Sequence, residues 1–365
     1  MIHQETHLKK AGVLKGPLKE FLQDQAQAVE KHLVRADPSS TVVLKALPPV
    51  AEGPQYDLKK YCTEGQHIDV VLVESPLNDL RYLNKFFENV NGLLLPDGIF
   101  IGRMESSGQR RERQMNKYAW PLNQGICASD YFIHRIWPKL PYLKRLYFLT
   151  TRGQNRVISR IELFGRLYSC GFKLEHHFTR NGHLYFVAQK EKDPDFNLDP
   201  TYGPIIRLRR MGKGGRPIHV YKVRTMYPYS EYLQEYFFVR HGLQKGGKLK
   251  DDPRINEVGR FLRKYWIDEI PMLFNWLRGD CKLIGVRPLS AHYLSLYPPE
   301  FQEYRRRFKP GLIPPLYAEL PDDMNDIVNI ERRYLEAYEK KPLLTDLKYF
   351  WRLIYNVLFK QVRSY

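Results

Sequence analysis

Asp268 and Glu269 stand side by side in the run Arg263-Lys264-Tyr265-Trp266-Ile267-Asp268-Glu269-Ile270-Pro271. An acid pair among cations and apolar side chains suits phosphoryl chemistry. A diphosphate needs its charge neutralised by arginine forks or a metal, and a carboxylate nucleophile must reach phosphorus without repulsion from the phosphate oxygens. Most isolated Asp-Glu pairs are solvated helix-surface acids, so the neighbours decide. Upstream lie Asp251-Asp252-Pro253-Arg254 and Gly259-Arg260-Phe261-Leu262-Arg263; downstream lie Asn275-Trp276-Leu277-Arg278-Gly279-Asp280 and Lys282-Leu283-Ile284-Gly285-Val286-Arg287-Pro288. On one continuous helix Arg263 would sit about 140° around the axis from Asp268, so a turn or a tertiary contact must bring them together. Glu269 would project about 100° from Asp268. One carboxylate can then attack while the other holds a divalent cation through oxygen.

Further matches surround this pair. They begin at Gly203-Pro204 and run through Arg209-Arg210-Met211-Gly212-Lys213-Gly214-Gly215, Tyr221-Lys222-Val223-Arg224-Thr225-Met226, Asp252-Pro253-Arg254, Asp268-Glu269-Ile270-Pro271, Gly285-Val286-Arg287-Pro288 and Lys309-Pro310-Gly311. In that order they resemble the bacterial sugar transferases, also called monotopic polyprenyl-phosphate phosphoglycosyl transferases, over about residues 200–365. The resemblance implies an enzyme of two steps. Asp268 attacks the sugar-linked phosphate of a nucleotide diphosphate sugar and releases the nucleoside monophosphate; a polyprenyl phosphate then takes the phosphosugar. It further implies that Glu269 positions Mg²⁺, that Arg263 and Arg287 contact phosphates or nucleotide, that Lys222 and Arg224 line the basic side of the pocket, and that Arg254 belongs to the substrate site. Arg305 best matches the family's arginine before Pro-Gly. Such chemistry rests on positioning and charge neutralisation.

The sequence departs from the family pattern at the membrane anchor, normally an apolar helix shortly ahead of the Gly-Pro match. Residues 191–202 are instead a polar, proline-containing linker, and no stretch approaches the ~20 apolar residues that span a bilayer. Met1 to Glu20 scatters charge and reads as no signal peptide. Smaller departures are Met272 where glutamine is common, Val286 where proline is common, and the Leu312–Tyr317 segment. The expected location is cytoplasmic, with peripheral contact on the inner face of the membrane. A catalytically silent nucleotide-sugar-binding or assembly protein, and a soluble enzyme with a non-lipid acceptor, are the alternatives.

Composition agrees with a folded, basic protein of two ordinary domains: 365 residues, net charge +18 and 43% hydrophobic content. That charge favours anionic partners; no nucleic-acid motif is present. Four scattered cysteines, Cys62, Cys127, Cys170 and Cys281, form no CxxC and argue against a disulfide framework or metal cluster.

The fold class expected is two-domain, α/β followed by α+β. Residues 1–195 read as a Rossmann-like α/β domain: a strand at His67–Val73, a helix through Leu80, Leu83 and Phe86-Phe87, a strand entered at Leu93–Ile101, a helix at Ile161–Leu167 and a last strand at His183–Ala188. The order resembles the latter half of a Rossmann-like methyltransferase. No glycine-rich strand-to-helix turn precedes residue 67, so the domain reads as non-catalytic, serving docking or oligomerisation. Residues 196–365 read as the helix-rich transferase domain.

Other features carry two readings each. Leu343, Leu347, Phe350, Ile354, Val357 and Leu358 form a helical apolar stripe, packed on its own domain or lying at a membrane interface with Trp351 and Tyr355 at headgroup level. Trp137–Phe148 mixes cations with aromatics, as membrane-surface segments and half-buried connectors both do. Gly212, Gly214-Gly215 and Gly246-Gly247 mark turns that could cradle phosphate or merely reverse the chain. Tyr293, Tyr297 and Tyr304, followed by Arg305-Arg306-Arg307, make a basic aromatic rim or a solvated helix face. His219 and His292 receive no role.

Overall fold

The computed structural model describes residues 40–45, 56, 58, 67–140, 142–196, 203–241, 252–319, 321 and 323–359, without the side chains of 238–241, 292, 357 and 358. Residues 1–20, Cys62, Gly246-Gly247, Asp251 and the linker from 197 to 202 lie outside the described residues, as do the side chains of His292, Val357 and Leu358. The chain is mixed α/β and divides into two compact units, one within residues 1–200 together with Pro228–Leu233, the other Thr201–Tyr227 together with Gln234–Tyr365.

The first unit is built on a five-stranded sheet. Its strands are β1 (Thr41–Leu44), β2 (Ile68–Pro76), β3 (Leu94–Met104), β4 (Phe172–Arg180) and β5 (His183–Lys190), in the order β1-β2-β3-β5-β4. The first three run parallel; β5 is antiparallel to β3 and β4 to β5. Alternation decides which residues meet. Val70, Leu72, Ile99, Ile101, Tyr185 and Val187 share one buried cluster, while Phe100 and Phe186 point the other way and meet edge to face, 5.2 Å between centroids. There they join Phe87 of helix α1 (Leu83–Leu93), 5.4 Å from Phe100.

Between β3 and the buried helix α5 (Arg160–Ser169) the chain makes a helical excursion through α2 (Ser107–Lys117), α3 (Leu122–Tyr131) and α4 (Leu143–Thr151). Ser106 and Gln109 close a reciprocal capping box at the start of α2. In α5 the buried Glu162 is engaged by Arg135 and Arg166. Those two guanidinium groups outweigh the burial penalty and hold its pKa well below the ordinary carboxylate range.

The second unit opens with the hairpin β6 (Ile205–Met211) and β7 (Pro217–Val223), turning through Gly214 and Gly215, both at positive φ. The glycines therefore serve a chain reversal. Helices α6 (Gln234–His241), α7 (Glu257–Lys264) and α8 (Met272–Leu277) follow, then β8 (Lys282–Ile284), α9 (Pro299–Arg306), β9 (Gly311–Ile313), α10 (Met324–Lys340) and α11 (Pro342–Phe359). Two separate sequence motifs meet where β8 and β9 pair in parallel. Gly311 donates to the carbonyl of Val286, and a Cβ on Gly311 would lie 2.1 Å from the Gly285 nitrogen. Only glycine permits that approach.

Helix α11 packs on its own unit through a face that shares only part of the apolar stripe, with Phe350 against the core cluster. Thr345, Tyr349, Leu353 and Asn356 are buried, with Asn356 donating to the carbonyls of Tyr317 and Ala318 and Tyr349 donating to Glu319. Leu343 and Leu347 stay exposed. Polar side chains with backbone and carboxylate partners won the packed face, which hydrophobic periodicity alone could not register. No helix among the described residues is long and apolar enough to cross a membrane.

Candidate active site

The carboxylate pair sits where a helix is deliberately stopped. Asn256 caps α7 by accepting from the Gly259 N–H at 2.6 Å. Gly259 lies so close to β7's continuation that a Cβ there would fall 2.0 Å from the Thr225 carbonyl oxygen. The helix carries Arg263, whose Nε donates to Thr225 Oγ1 at 2.9 Å. It then ends at Tyr265, because Trp266 adopts left-handed φ/ψ of 61° and 12°. Ile267–Glu269 form a single 3-10 turn, and Pro271 starts α8. The 140° separation of a continuous helix therefore does not apply: the break at Trp266 re-aims Asp268 toward the electrostatic field of Arg263.

The two acids have different surroundings. Asp268 is 5% exposed, and its Oδ1 is buried with no hydrogen-bond partner. Burial raises its pKa above the ordinary aspartate value; Lys222 opposes that rise, Glu269 adds to it and Arg263 opposes it. Glu269 accepts from Lys222 Nζ at 2.6 Å, an ion pair that ties the 3-10 turn to β7.

Strand and helix are locked by Asn275, which is fully buried. Its Oδ1 accepts from the Tyr221 N–H at 3.0 Å, and its Nδ2 donates to the His219 carbonyl at 2.6 Å and to Asp280 at 3.2 Å. Because Tyr221 precedes Lys222, this clamp sets where the lysine meets Glu269.

A ring of cations continues outward. Burial pushes the Arg263 guanidinium below its ordinary pKa, Asp268 and Asp252 pull it back, and Arg254 and Arg287 add like charge. Arg254 is forked onto Asp252, with Nε at 2.9 Å from Oδ1 and Nη2 at 2.7 Å from Oδ2. Arg210 lies within the field of Arg287. Lys222 and Arg263 thus stand by the acid pair, while Arg254 and Arg287 act on Arg263. Two predicted residues are engaged differently. Arg224 donates from Nε to the Gly203 carbonyl at 2.7 Å, fastening the start of β6. Arg305, 5% exposed, is paired with the fully buried Glu331 at 2.7 Å and also donates to the carbonyl of Arg287. That donation ties it to the backbone of Arg287. Thr225, Asp252, Asn275 and Trp266 went unassigned in the sequence; the Asp-Pro-Arg spacing could have given Asp252, whereas a left-handed tryptophan leaves no signal in composition.

Whether this site suits a divalent cation can be asked of the donors. Among the described residues no group of three or more His, Cys, Asp or Glu side chains is arranged around a metal position. Mg²⁺ needs fewer, because it commonly binds one or two carboxylates and completes its shell with water and substrate phosphate. The orphaned Asp268 Oδ1 beside Glu269 fits that requirement.

Residues 197–360 match the family model described as bacterial sugar transferase. Over those residues the chain is similar to the bacterial sugar transferases. Curated relatives agree with the match. The chain is 40% identical over 168 residues to a galactosyl transferase of Streptococcus agalactiae, covering 45% of this chain and 35% of that one. It is 41% identical over 109 residues to the undecaprenyl-phosphate galactose phosphotransferase of Salmonella typhimurium, covering 28% and 23%. Over 113 residues it is 38% identical to a UDP-N-acetylgalactosamine-undecaprenyl-phosphate N-acetylgalactosaminephosphotransferase of Aeromonas hydrophila, covering 30% and 24%. The chain spans well under two thirds of the length of these relatives.

Proposed function

We propose that the second unit is a phosphoglycosyl transferase that moves a sugar 1-phosphate from a nucleotide diphosphate sugar to a polyprenyl phosphate, in the assembly of a polysaccharide or glycan. The observation that carries this reading is Asp268: a buried carboxylate with an unpartnered oxygen, flanked by Lys222-bound Glu269 and Arg263. The names of the Salmonella and Aeromonas relatives support the acceptor, and the Aeromonas name supports a uridine diphosphate donor.

In the first step an Asp268 oxygen forms a bond to the sugar-linked phosphorus. The phosphoanhydride bond breaks, and its electron pair leaves on the nucleoside monophosphate. In the second step an oxygen of the polyprenyl phosphate attacks the same phosphorus and expels the carboxylate, giving a polyprenyl diphosphate sugar and free Asp268. Anions draw together in both steps, so cations must surround the phosphates before reaction. Arg263, with Arg254 and Arg287 acting on it, would supply that charge, and the Thr225 and Asp252 contacts support this by holding Arg263 and Arg254. Mg²⁺, held by Glu269 with Asp268 nearby, would supply further neutralisation of the diphosphate. Lys222 orients Glu269 through their ion pair.

The first unit reads as a Rossmann-like, methyltransferase-related domain whose sequence has no glycine-rich turn before residue 67, and therefore as a non-catalytic partner of the transferase. The chain would work as a peripheral protein on the cytoplasmic face of the membrane, where both substrates meet. The test is incubation of purified protein with a panel of radiolabelled nucleotide sugars and Mg²⁺, with and without polyprenyl phosphate. Label passing to the lipid, and lost in Asp268→Asn, supports the reading. A panel without transfer or protein labelling would instead favour a silent sugar-nucleotide-binding protein.

A further inference from the structure

The first unit carries an exposed surface that the transferase chemistry does not use. Of the thirteen large apolar side chains exposed on that unit among the described residues, eleven fall between Tyr118 and Leu149, in the excursion that joins β3 to α5. Trp120 is 79% exposed, Leu149 78% and Tyr142 95%. Helix α4 shows how little of this segment is held from inside. Tyr147 is its one fully buried side chain, packed against His134 and Trp137, while Leu143, Leu146 and Leu149 face solvent beside Lys144 and Arg145.

Charge identifies what would cover this surface. From Lys117 to Arg152 the sequence has six lysines and arginines, of which Arg135 is buried against Glu162, and a single acidic residue, Asp130. That carboxylate is neutralised by Arg110 at 2.5 Å. The patch is thus apolar, rich in tryptophan and tyrosine, and cationic without an exposed acid to oppose it. Protein–protein interfaces are depleted in lysine, yet Lys117, Lys139 and Lys144 rim this one. Aromatics at the headgroup level, aliphatics below and lysines above are what an anionic lipid surface receives.

We propose that residues 118–149 of the first unit form an interfacial membrane-binding surface for anionic lipid. Trp120, Tyr142, Leu143, Leu146 and Leu149 enter the boundary between headgroup and acyl chain, and Lys144 and Arg145 contact lipid phosphates. This membrane contact belongs to the first unit and needs neither Asp268 nor a sugar nucleotide.

The experiment uses the full chain and vesicles of phosphatidylcholine alone or mixed with phosphatidylglycerol, in sedimentation assays without nucleotide sugar. The expected result is binding to the mixed vesicles that exceeds binding to the neutral ones and weakens with salt. Lys144→Glu with Arg145→Glu should weaken it at least about tenfold, since each basic residue near such a surface is worth about fivefold. Leu146→Ser with Leu149→Ser should weaken it comparably, while the matched pair Leu343→Ser with Trp351→Ser in the second unit leaves that difference in place. These side chains are exposed, so unchanged circular dichroism and melting curves establish that the variants fold. Hydrogen exchange should slow over residues 118–149 when mixed vesicles are added. Unaltered binding by both first-unit variants would overturn the proposal. Protection of the same residues by self-association, seen in sedimentation velocity without lipid, would equally overturn it in favour of a second copy.

Discussion

Arg305 is where a sequence match and the structure give different physical roles, and the difference can be measured. As a substrate ligand its loss would weaken donor binding and leave the fold alone. In the structure Glu331 is fully buried, and Arg305 Nε at 2.7 Å and Nη2 at 3.3 Å are its ionic partners. Replacing Arg305 with Met strands that carboxylate without its counter-ion, which costs about 3–5 kcal/mol. For a unit of this size each kcal/mol moves the midpoint by about 2–4 °C, so the melting temperature should fall by roughly 6–20 °C. The double variant Arg305→Met with Glu331→Leu removes both charges and should recover to within about 1 kcal/mol of the wild type. Guanidinium unfolding followed by tryptophan fluorescence suits the measurement, because Trp266, Trp276 and Trp351, three of the five tryptophans, lie in the second unit. The recovered double variant still lacks the Arg305 contact with the Arg287 carbonyl. Its turnover should therefore drop by about tenfold or more at restored stability, as small misplacements of a phosphate-binding group do. A double variant as unstable as the single one would refute the buried-charge reasoning.

Asp268→Asn should abolish transfer and raise the melting temperature at neutral pH. A carboxyl whose pKa is raised by the fold favours folding while protonated, and that contribution is lost as pH rises through the raised value; the gain from asparagine should shrink toward acid pH in melts taken across a pH series. The acid limb of the rate profile should correspondingly lie above the ordinary aspartate range, measured on donor consumption. Gly259→Ala drives a Cβ to 2.0 Å from the Thr225 carbonyl, so about 1–3 kcal/mol of stability should be lost together with the Arg263 alignment, seen in denaturation and in KM. Asn275→Ala removes three hydrogen bonds, the one from the Tyr221 N–H among them; denaturation should register about 2–4 kcal/mol.

Much of this was legible before any coordinates. The β2, β3 and β5 strands announce themselves as apolar runs between turn residues, and their alternation assigns side chains to the two faces of the sheet. The acid pair could be read from its cationic neighbours. Its geometry could not, because a tryptophan in the left-handed region, against its steric preference, ends α7 before Asp268. Arg224, Arg305 and Arg263 could not be told apart by type, since an arginine held by a carbonyl, a buried glutamate or a threonine hydroxyl reads the same in sequence. Of the two readings of helix α11, packing on its own unit holds, with Phe350 of the stripe on the core; the part of the packed face made by Thr345 and Asn356, which rests on carbonyl partners, leaves no mark in hydrophobic periodicity.

The claim that everything here serves is a covalent one, that Asp268 carries the phosphosugar between donor and lipid. Full-length protein mixed with the turned-over nucleotide sugar and Mg²⁺, without acceptor, then acid-quenched, digested and sequenced by mass spectrometry, should yield a peptide bearing one hexose-phosphate-sized adduct on Asp268, absent when polyprenyl phosphate is added. An adduct on another residue, or full lipid transfer by an enzyme whose Asp268 peptide stays unmodified at every time point, would contradict it.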